Sequence, residues 1–334
     1  MYISLFMCCI FIICIFFQRK SKIINTISID NSNCIKGIMA ICVVLHHLSG
    51  RTNLTGMFSD FGAIAVGCFF FISGYGLYTS YTKKGLAYFI GYPWNRFKKL
   101  IIPFIFCILL YQVIKFIFLK KLIFESILRG NVDWILPYSW YIFIAIIFYF
   151  VFYLTFKYSK KSFTGIFCCW IFTLFLFCLL VLLHWGGYWA KSLFLFPIGI
   201  SYKYFEHKFI NKSPMNILVI FCFILILIIA LAHFDVKYKD SYIANLAPYI
   251  FILPLTTINI SSLFFRFLGK ISYEIYLVQG IIFLIMGHTV KLFEINSNYI
   301  FICLSLLFII ISAWLIKYLL DKMDSFWDKL KINN

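Results

Sequence analysis

Acidic side chains are scarce in this chain, with 12 Asp and Glu among 334 residues, and charged residues of either sign make up only 13%. Hydrophobic residues make up 63% and aromatics 22%. A water-soluble fold of this length cannot bury so much apolar surface, so an ordinary soluble globule is excluded. Basic residues outnumber acidic ones, 30 to 12. Such an excess can mark a nucleic-acid binder. Here the cations fall in short segments between apolar runs, which reads as membrane topology with no nucleic-acid partner. The 12 cysteines contain no C-x-x-C. Most lie inside apolar runs, where a thiol packs as a small hydrophobe, so no metal site and no redox chemistry is expected. No internal repeat is visible, and there is no convincing Ser-His-Asp set. Ser73, in ISGYG, lacks the strand–elbow–helix setting of a hydrolase nucleophile, and the glycines beside it suit close helix packing.

What the chain does have is a succession of apolar runs near 20 residues, the length that crosses a bilayer. The first, Tyr2–Phe17, has no positive segment before it and is followed by Arg19, Lys20 and Lys22. That order argues against a cleaved signal peptide and for an anchor helix within residues 1–22. Further candidates are Ile35–Gly50, Phe61–Tyr78, Leu100–Leu119, Ser139–Phe156, Phe163–Leu183, Tyr188–Tyr202, Met215–Phe234, Ser241–Ile258, Ile271–Val290 and Tyr299–Leu320. The sequence thus predicts an all-α, polytopic transmembrane bundle of 10–11 helices, with the core in residues 35–320 and a short soluble C-terminal tail. It reads as one integral-membrane domain over 1–334. With the N-terminus outside and the C-terminus inside, inner segments hold 19 Lys and Arg and outer ones 7. That bias favours this orientation.

The stretch with the most chemistry is Ile35–Gly50, IKGIMAICVVLHHLSG. Lys36 and His47 are eleven residues apart, a net offset of about 20° and a rise of about 16 Å on an α-helix. Both side chains therefore leave one stripe, while His46 points about 100° away. A cation aligned with an imidazole inside an apolar helix is costly in lipid and marks a functional site. Asp30, Asn31, Ser32 and Asn33 are good N-capping types just ahead of this helix. The densest positive cluster, Lys83, Lys84, Arg96, Lys98 and Lys99, reads as a cytoplasmic loop. In this topology Lys36 lies at the inner end of its helix and His47 deeper. That arrangement suits a long anionic donor with its phosphates near Lys36 and the basic loop and its reactive end at His47.

Five stretches taken in order resemble the membrane-bound acyltransferase family 3. Lys36-x10-His47 matches the family's Arg-x10-His spacing, with Lys in place of the usual Arg. GCFFFISGYGL (Gly67–Leu77) resembles its aromatic helix ending in Ser-Gly. RFKKLIIP (Arg96–Pro103) resembles its Arg-x-x-Arg…Pro signature, with Lys99 at the second basic place. SWYIFIAIIFYF (Ser139–Phe150) is similar to its Trp-aromatic helix. LGKISYEIYLVQ (Leu268–Gln279) resembles its late Ser-Tyr…Tyr-Leu motif, with Gln279 where a His often stands. The resemblance implies acetyl transfer from cytoplasmic acetyl-CoA to a hydroxyl of a surface or capsular polysaccharide, or its lipid-linked precursor, at a bacterial cell membrane. His47 would be the essential base or acyl carrier. Arg96 and Lys99 would hold the CoA phosphates, with Lys36 orienting donor or histidine. Lys cannot reproduce the planar, bidentate contact of Arg, and Gln279 cannot carry a proton. Asp60 and Glu274 are candidate partners for the imidazole, although Glu274 more often pairs a cation. His184 and His288 read as interfacial. A different reading is a glycan or lipid transporter, which predicts inverted repeats and paired broken helices. Dependence on acetyl-CoA separates the two.

Overall fold

The computed structural model describes residues 27–52, 58, 61–120, 132–185, 187–209, 224, 227, 245–252, 262–292 and 297–332. Regular structure among them is helical, and the chain is an all-α polytopic membrane protein. Nine longer helices are α1 (Ile29–Ser49), α2 (Phe61–Lys84), α3 (Ile102–Leu119), α4 (Trp140–Tyr158), α5 (Ser162–Leu182), α6 (Leu195–Phe209), α7 (Leu263–Lys270), α8 (Ser272–Leu292) and α9 (Asn298–Ile332). Six among the described residues are long and apolar enough to cross a membrane, or seven if α7 and α8 count as one broken span. The anchor expected at Tyr2–Phe17 lies outside the described residues. So does most of the two runs expected at Met215–Phe234 and Ser241–Ile258.

Several expected boundaries move, each for a local reason. α1 begins at Ile29 rather than at the apolar edge, because Ser28 caps it by accepting the Asn31 N–H at 3.0 Å. Asp30–Asn33 are therefore helix, not a capping linker, and the helix has the length of a full span. Lys36 then sits about 10 Å inside the helix start rather than at its end. The basic segment is likewise no loop. Lys83 and Lys84 finish α2, and a 3-10 turn (Gly85–Phe89) leads to Gly91, whose φ of 68° suits glycine. A helical turn over Tyr92–Arg96 and a π-turn over Phe97–Ile101 then run straight into α3. Pro93 fits because a first-turn N–H has no helical partner to lose.

The run Tyr188–Tyr202 is broken. Turns occupy residues 191–194, with Ser192 at φ 68°, and regular helix resumes only at Leu195. The C-terminal tail is helical, since α9 runs for 35 residues, about 52 Å, and so extends past the roughly 30 Å of a bilayer core. The Lys317–Asp321 pair at 3.0 Å, one turn apart, supports that extension.

The helices fall into two compact units. The first comprises Met1–Ile90 and Ile144–Gly269 and holds α1, α2, most of α4, α5, α6 and nearly all of α7. Its centre is the α2–α6 pair. A Cβ on Gly74 would overlap the Phe196 carbonyl, and one on Gly199 would overlap that of Phe71, so both glycines are required for the backbones to approach. Where lipid removes the usual hydrophobic drive between helices, such close approach supplies the attraction through dispersion. Phe148 stacks on Phe196 (centroids 4.5 Å) and meets Phe70 edge-on (5.5 Å). Tyr149 donates to Ser73 Oγ at 3.2 Å, so the Ser73 hydroxyl ties α2 to α4, consistent with a packing role.

The second unit comprises Gly91–Phe143 and Lys270–Asn334, with α3, α8 and α9. Here Tyr273 donates to the Leu100 carbonyl at 2.7 Å, and Gln112 donates to the carbonyls of Trp134 and Ile135 at 2.8 and 3.0 Å. Pro137 fills the space where a Cβ on Gly280 would stand. Leu109, Val113 and Phe116 on α3 are exposed, as are Leu307, Ile311 and Leu315 on α9 and Phe167, Ile171 and Leu174 on α5. Such apolar faces suit hydrocarbon and not water.

Candidate active site

α1 and α2 run antiparallel. The Ile27 N–H, just before α1, donates to Tyr75 Oη near the far end of α2, whereas His46 meets Gly62 at its start. This pairing fixes which face of α1 each histidine uses. The His46 ring occupies the space that a Gly62 side chain would need, and its Nδ1 lies 3.4 Å from the Phe58 carbonyl. His46 is thus packed between α1 and the start of α2. His47, one residue on, is half-buried with its ring centroid 4.9 Å from that of His46. Lys36 is also half-buried on α1, and no ion pair of Lys36 occurs among the described residues. The expected Lys36–His47 stripe is therefore one continuous helix.

Filling the Gly62 contact should disturb His46 first. Gly62→Val is expected to cost about 1–3 kcal/mol, the usual overpacking penalty, read as a lower unfolding temperature in detergent. Gly76→Val, at a glycine whose Cβ would meet nothing within 4 Å, should cost far less.

A buried charge cluster in the same unit was not anticipated from sequence. Glu206 is 1% exposed, accepts a hydrogen bond from the Tyr75 hydroxyl at 2.7 Å and forms an ion pair with Lys203 one turn earlier. Lys203 Nζ also lies 5.4 Å from the centre of the Tyr75 ring. Since Tyr75 receives the Ile27 N–H at 3.1 Å, the cluster holds the entry of α1 against α2 and α6. The sequence signal was Lys203 and Glu206 at i,i+3, masked because the apolar run was ended at Tyr202.

Arg96 and Lys99 belong to the second unit. Arg96 closes the short helical turn with its guanidinium 5.2 Å from the Tyr92 ring centre. Lys98 and Lys99 lie on the π-turn, a distortion frequent at functional sites. Lys98 pairs with Asp324 of α9 at 3.5 Å, while Lys99 is exposed. Glu274 is buried and faces Lys317 at 3.9 Å, a cation partner. Gln279 is fully buried and its amide N–H donates to the Tyr276 carbonyl at 3.1 Å. His288 stacks on Phe118 (4.7 Å), and His184 is exposed with φ 53°. Asp60 lies outside the described residues.

Chemically, the first unit presents an imidazole and an ammonium on one helix, and the second a set of cations at the head of another. The arrangement of the first unit supplies a proton acceptor and a positive charge. The second offers several donors to an anion. No curated protein and no solved structure shows significant similarity to the chain. A model of acyltransferase family 3, described as an acyltransferase domain, matches residues 29–317, from the first residue of α1 to the Lys317 of α9. The chain therefore belongs to this family of membrane acyltransferases.

Proposed function

We propose that the chain moves an acetyl group from cytoplasmic acetyl-CoA to a hydroxyl of a surface or capsular polysaccharide, or of its lipid-linked precursor, in a bacterial cytoplasmic membrane. The observation that carries this reading is Lys36 and His47 on the single helix α1, at the family's spacing, within the matched segment. In this reading His47 is the group at the reacting atoms. As a base it accepts the proton of the acceptor hydroxyl while that oxygen attacks the thioester carbonyl. As a carrier it takes the acyl group first and passes it on. Lys36 carries positive charge toward the donor or steadies the imidazole. Arg96 and Lys99 hold CoA phosphates through charge-assisted hydrogen bonds.

Glu274, the candidate imidazole partner that lies within the described residues, has a cation of its own. Glu274 faces Lys317 and supports the α8–α9 contact. Gln279 contributes burial and one hydrogen bond within α8. In the base route the bond between acceptor oxygen and acetyl carbon forms as the thioester C–S bond breaks, and CoA leaves as the thiol. In the carrier route the imidazole C–N bond forms as C–S breaks, and the acceptor C–O bond forms as that C–N bond breaks.

The test is transfer of labelled acetyl from acetyl-CoA into glycan by membranes carrying the protein. Transfer that needs acetyl-CoA supports the reading. Glycan movement across the membrane with no transfer from acetyl-CoA would overturn it in favour of a transporter. Within a working assay, Lys99→Ala is expected to raise KM for acetyl-CoA about tenfold or more with little change in kcat, because a hydrogen bond to a charged group contributes about 1.5–3 kcal/mol. An unchanged KM would remove Lys99 from donor binding.

A further inference from the structure

α7 is eight residues long, about 12 Å, and cannot by itself cross a bilayer core. It has two unlike edges. On one, Leu268 and Gly269 are buried, and a Cβ on Gly269 would overlap the backbone of Asn33. A Cβ on Gly37 would overlap the Phe265 carbonyl in turn, so α7 and the first turns of α1 interlock backbone to backbone. Arg266 pairs with Asp30 at 2.9 Å, and the Cys34 thiol lies 3.6 Å from the Ser262 carbonyl. On the other edge Leu263, Phe264 and Phe267 are 77%, 57% and 39% exposed.

These contacts of α7 fall on residues 30–37, in the first turns of a helix that is itself long and apolar enough to span. α7 is therefore held at the level where a span begins. Where α1 crosses a bilayer, its first turns lie at the boundary between headgroups and hydrocarbon. The charges fit the place: Lys270 is exposed at the end of α7 and Arg266 keeps part of its side chain accessible beside Asp30. Ile29, at the very start of α1, is 77% exposed.

We infer that the Leu263–Phe264–Phe267 edge of α7 is a lipid-docking surface. It lies in the membrane–water interface with its apolar side chains among the upper acyl segments and its cations toward anionic headgroups. An amphipathic segment binds at this depth because apolar burial and attraction to anionic lipid act together. Snorkelling lets the long basic side chains reach the phosphates while their stems stay apolar. Through the glycine interlock and the Arg266–Asp30 pair, this foot sets the depth at which α1 enters the membrane. The inference stands independently of the acyl-transfer chemistry.

The test uses the full chain in vesicles of phosphatidylglycerol and phosphatidylethanolamine, with a small fluorescent amino acid in place of Phe264. The quenchers are phospholipids brominated either near the glycerol end of the acyl chain or near its tip. The same label in place of Leu307, lipid-exposed and nine residues into α9, is the deep reference and verifies membrane insertion. The expected result is quenching at position 264 several-fold stronger from the shallow bromines, with the opposite order at 307. Stronger quenching at 264 from the deep bromines would overturn the inference and make α7 the first half of a broken span. No quenching at 264 from either lipid would overturn it in favour of a covering protein or of water.

Discussion

Membranes carrying His47→Ala are expected to transfer acetyl about 10²–10⁴-fold more slowly than wild type at equal protein level, the range contributed by a positioned acid–base group. The expectation rests on three observations. His47 shares a continuous helix with Lys36. It is half-buried, so the imidazole works where water is reduced and its interactions are strengthened. Its neighbour His46 is already engaged, wedged against Gly62 and 3.4 Å from the Phe58 carbonyl. His46→Ala should accordingly act on stability more than on rate. It removes packing at the α1–α2 contact, lowering the unfolding temperature while leaving most of kcat. The ratio of the two effects is the useful quantity. If His47 carries the acyl group, brief incubation with labelled acetyl-CoA and no acceptor leaves hydroxylamine-sensitive label on the wild type and none on His47→Ala. If it acts as a base, neither retains label.

Glu206→Ala is expected to cost about 3–5 kcal/mol of stability, because it leaves the Lys203 ammonium without its carboxylate in a buried setting. The carboxylate is 1% exposed and has two partners, the Tyr75 hydroxyl and Lys203. Removing it also frees Tyr75, which holds the Ile27 N–H at the entry of α1. Much of the penalty is the stranded charge rather than the worth of the pair itself. A double change that removes both charges, Glu206→Gln with Lys203→Met, should therefore recover most of the loss. Unfolding in detergent, followed by temperature or by denaturant, reads this directly. A Glu206→Ala protein as stable as wild type would show that water reaches the cluster and that it does not fix α1. Tyr75→Phe is milder, with a loss of about 1–3 kcal/mol from the unsatisfied buried groups left behind.

Much of this molecule is written in its apolar periodicity. α3, α4, α5 and α8 begin and end within two residues of the runs that predict them, because a long apolar stretch bounded by charge has no other way to satisfy its backbone in lipid. The Lys36–His47 alignment was legible for the same reason, since helix geometry fixes it from spacing alone. What escaped were features set by tertiary contact. Residues 29–33 are too polar to extend a span by composition, yet they are helical. Ser28 caps them, Asn31 is buried and Gly269 packs on Asn33. Lys203 and Glu206 lie just beyond the Tyr202 end of their apolar run, yet they form an ion pair whose carboxylate is buried. The basic segment read as a loop because charge usually marks one, but Pro93 and the π-turn carry it into α3 as helix.

The measurement that bears most directly on the acyl-transfer account is labelled-acetyl transfer from acetyl-CoA into glycan by membranes carrying wild type, His46→Ala and His47→Ala at matched insertion. The expected outcome is transfer by wild type, most of it retained by His46→Ala, and loss of two or more orders of magnitude in His47→Ala. Equal transfer by wild type and His47→Ala would contradict it and remove His47 from the chemistry.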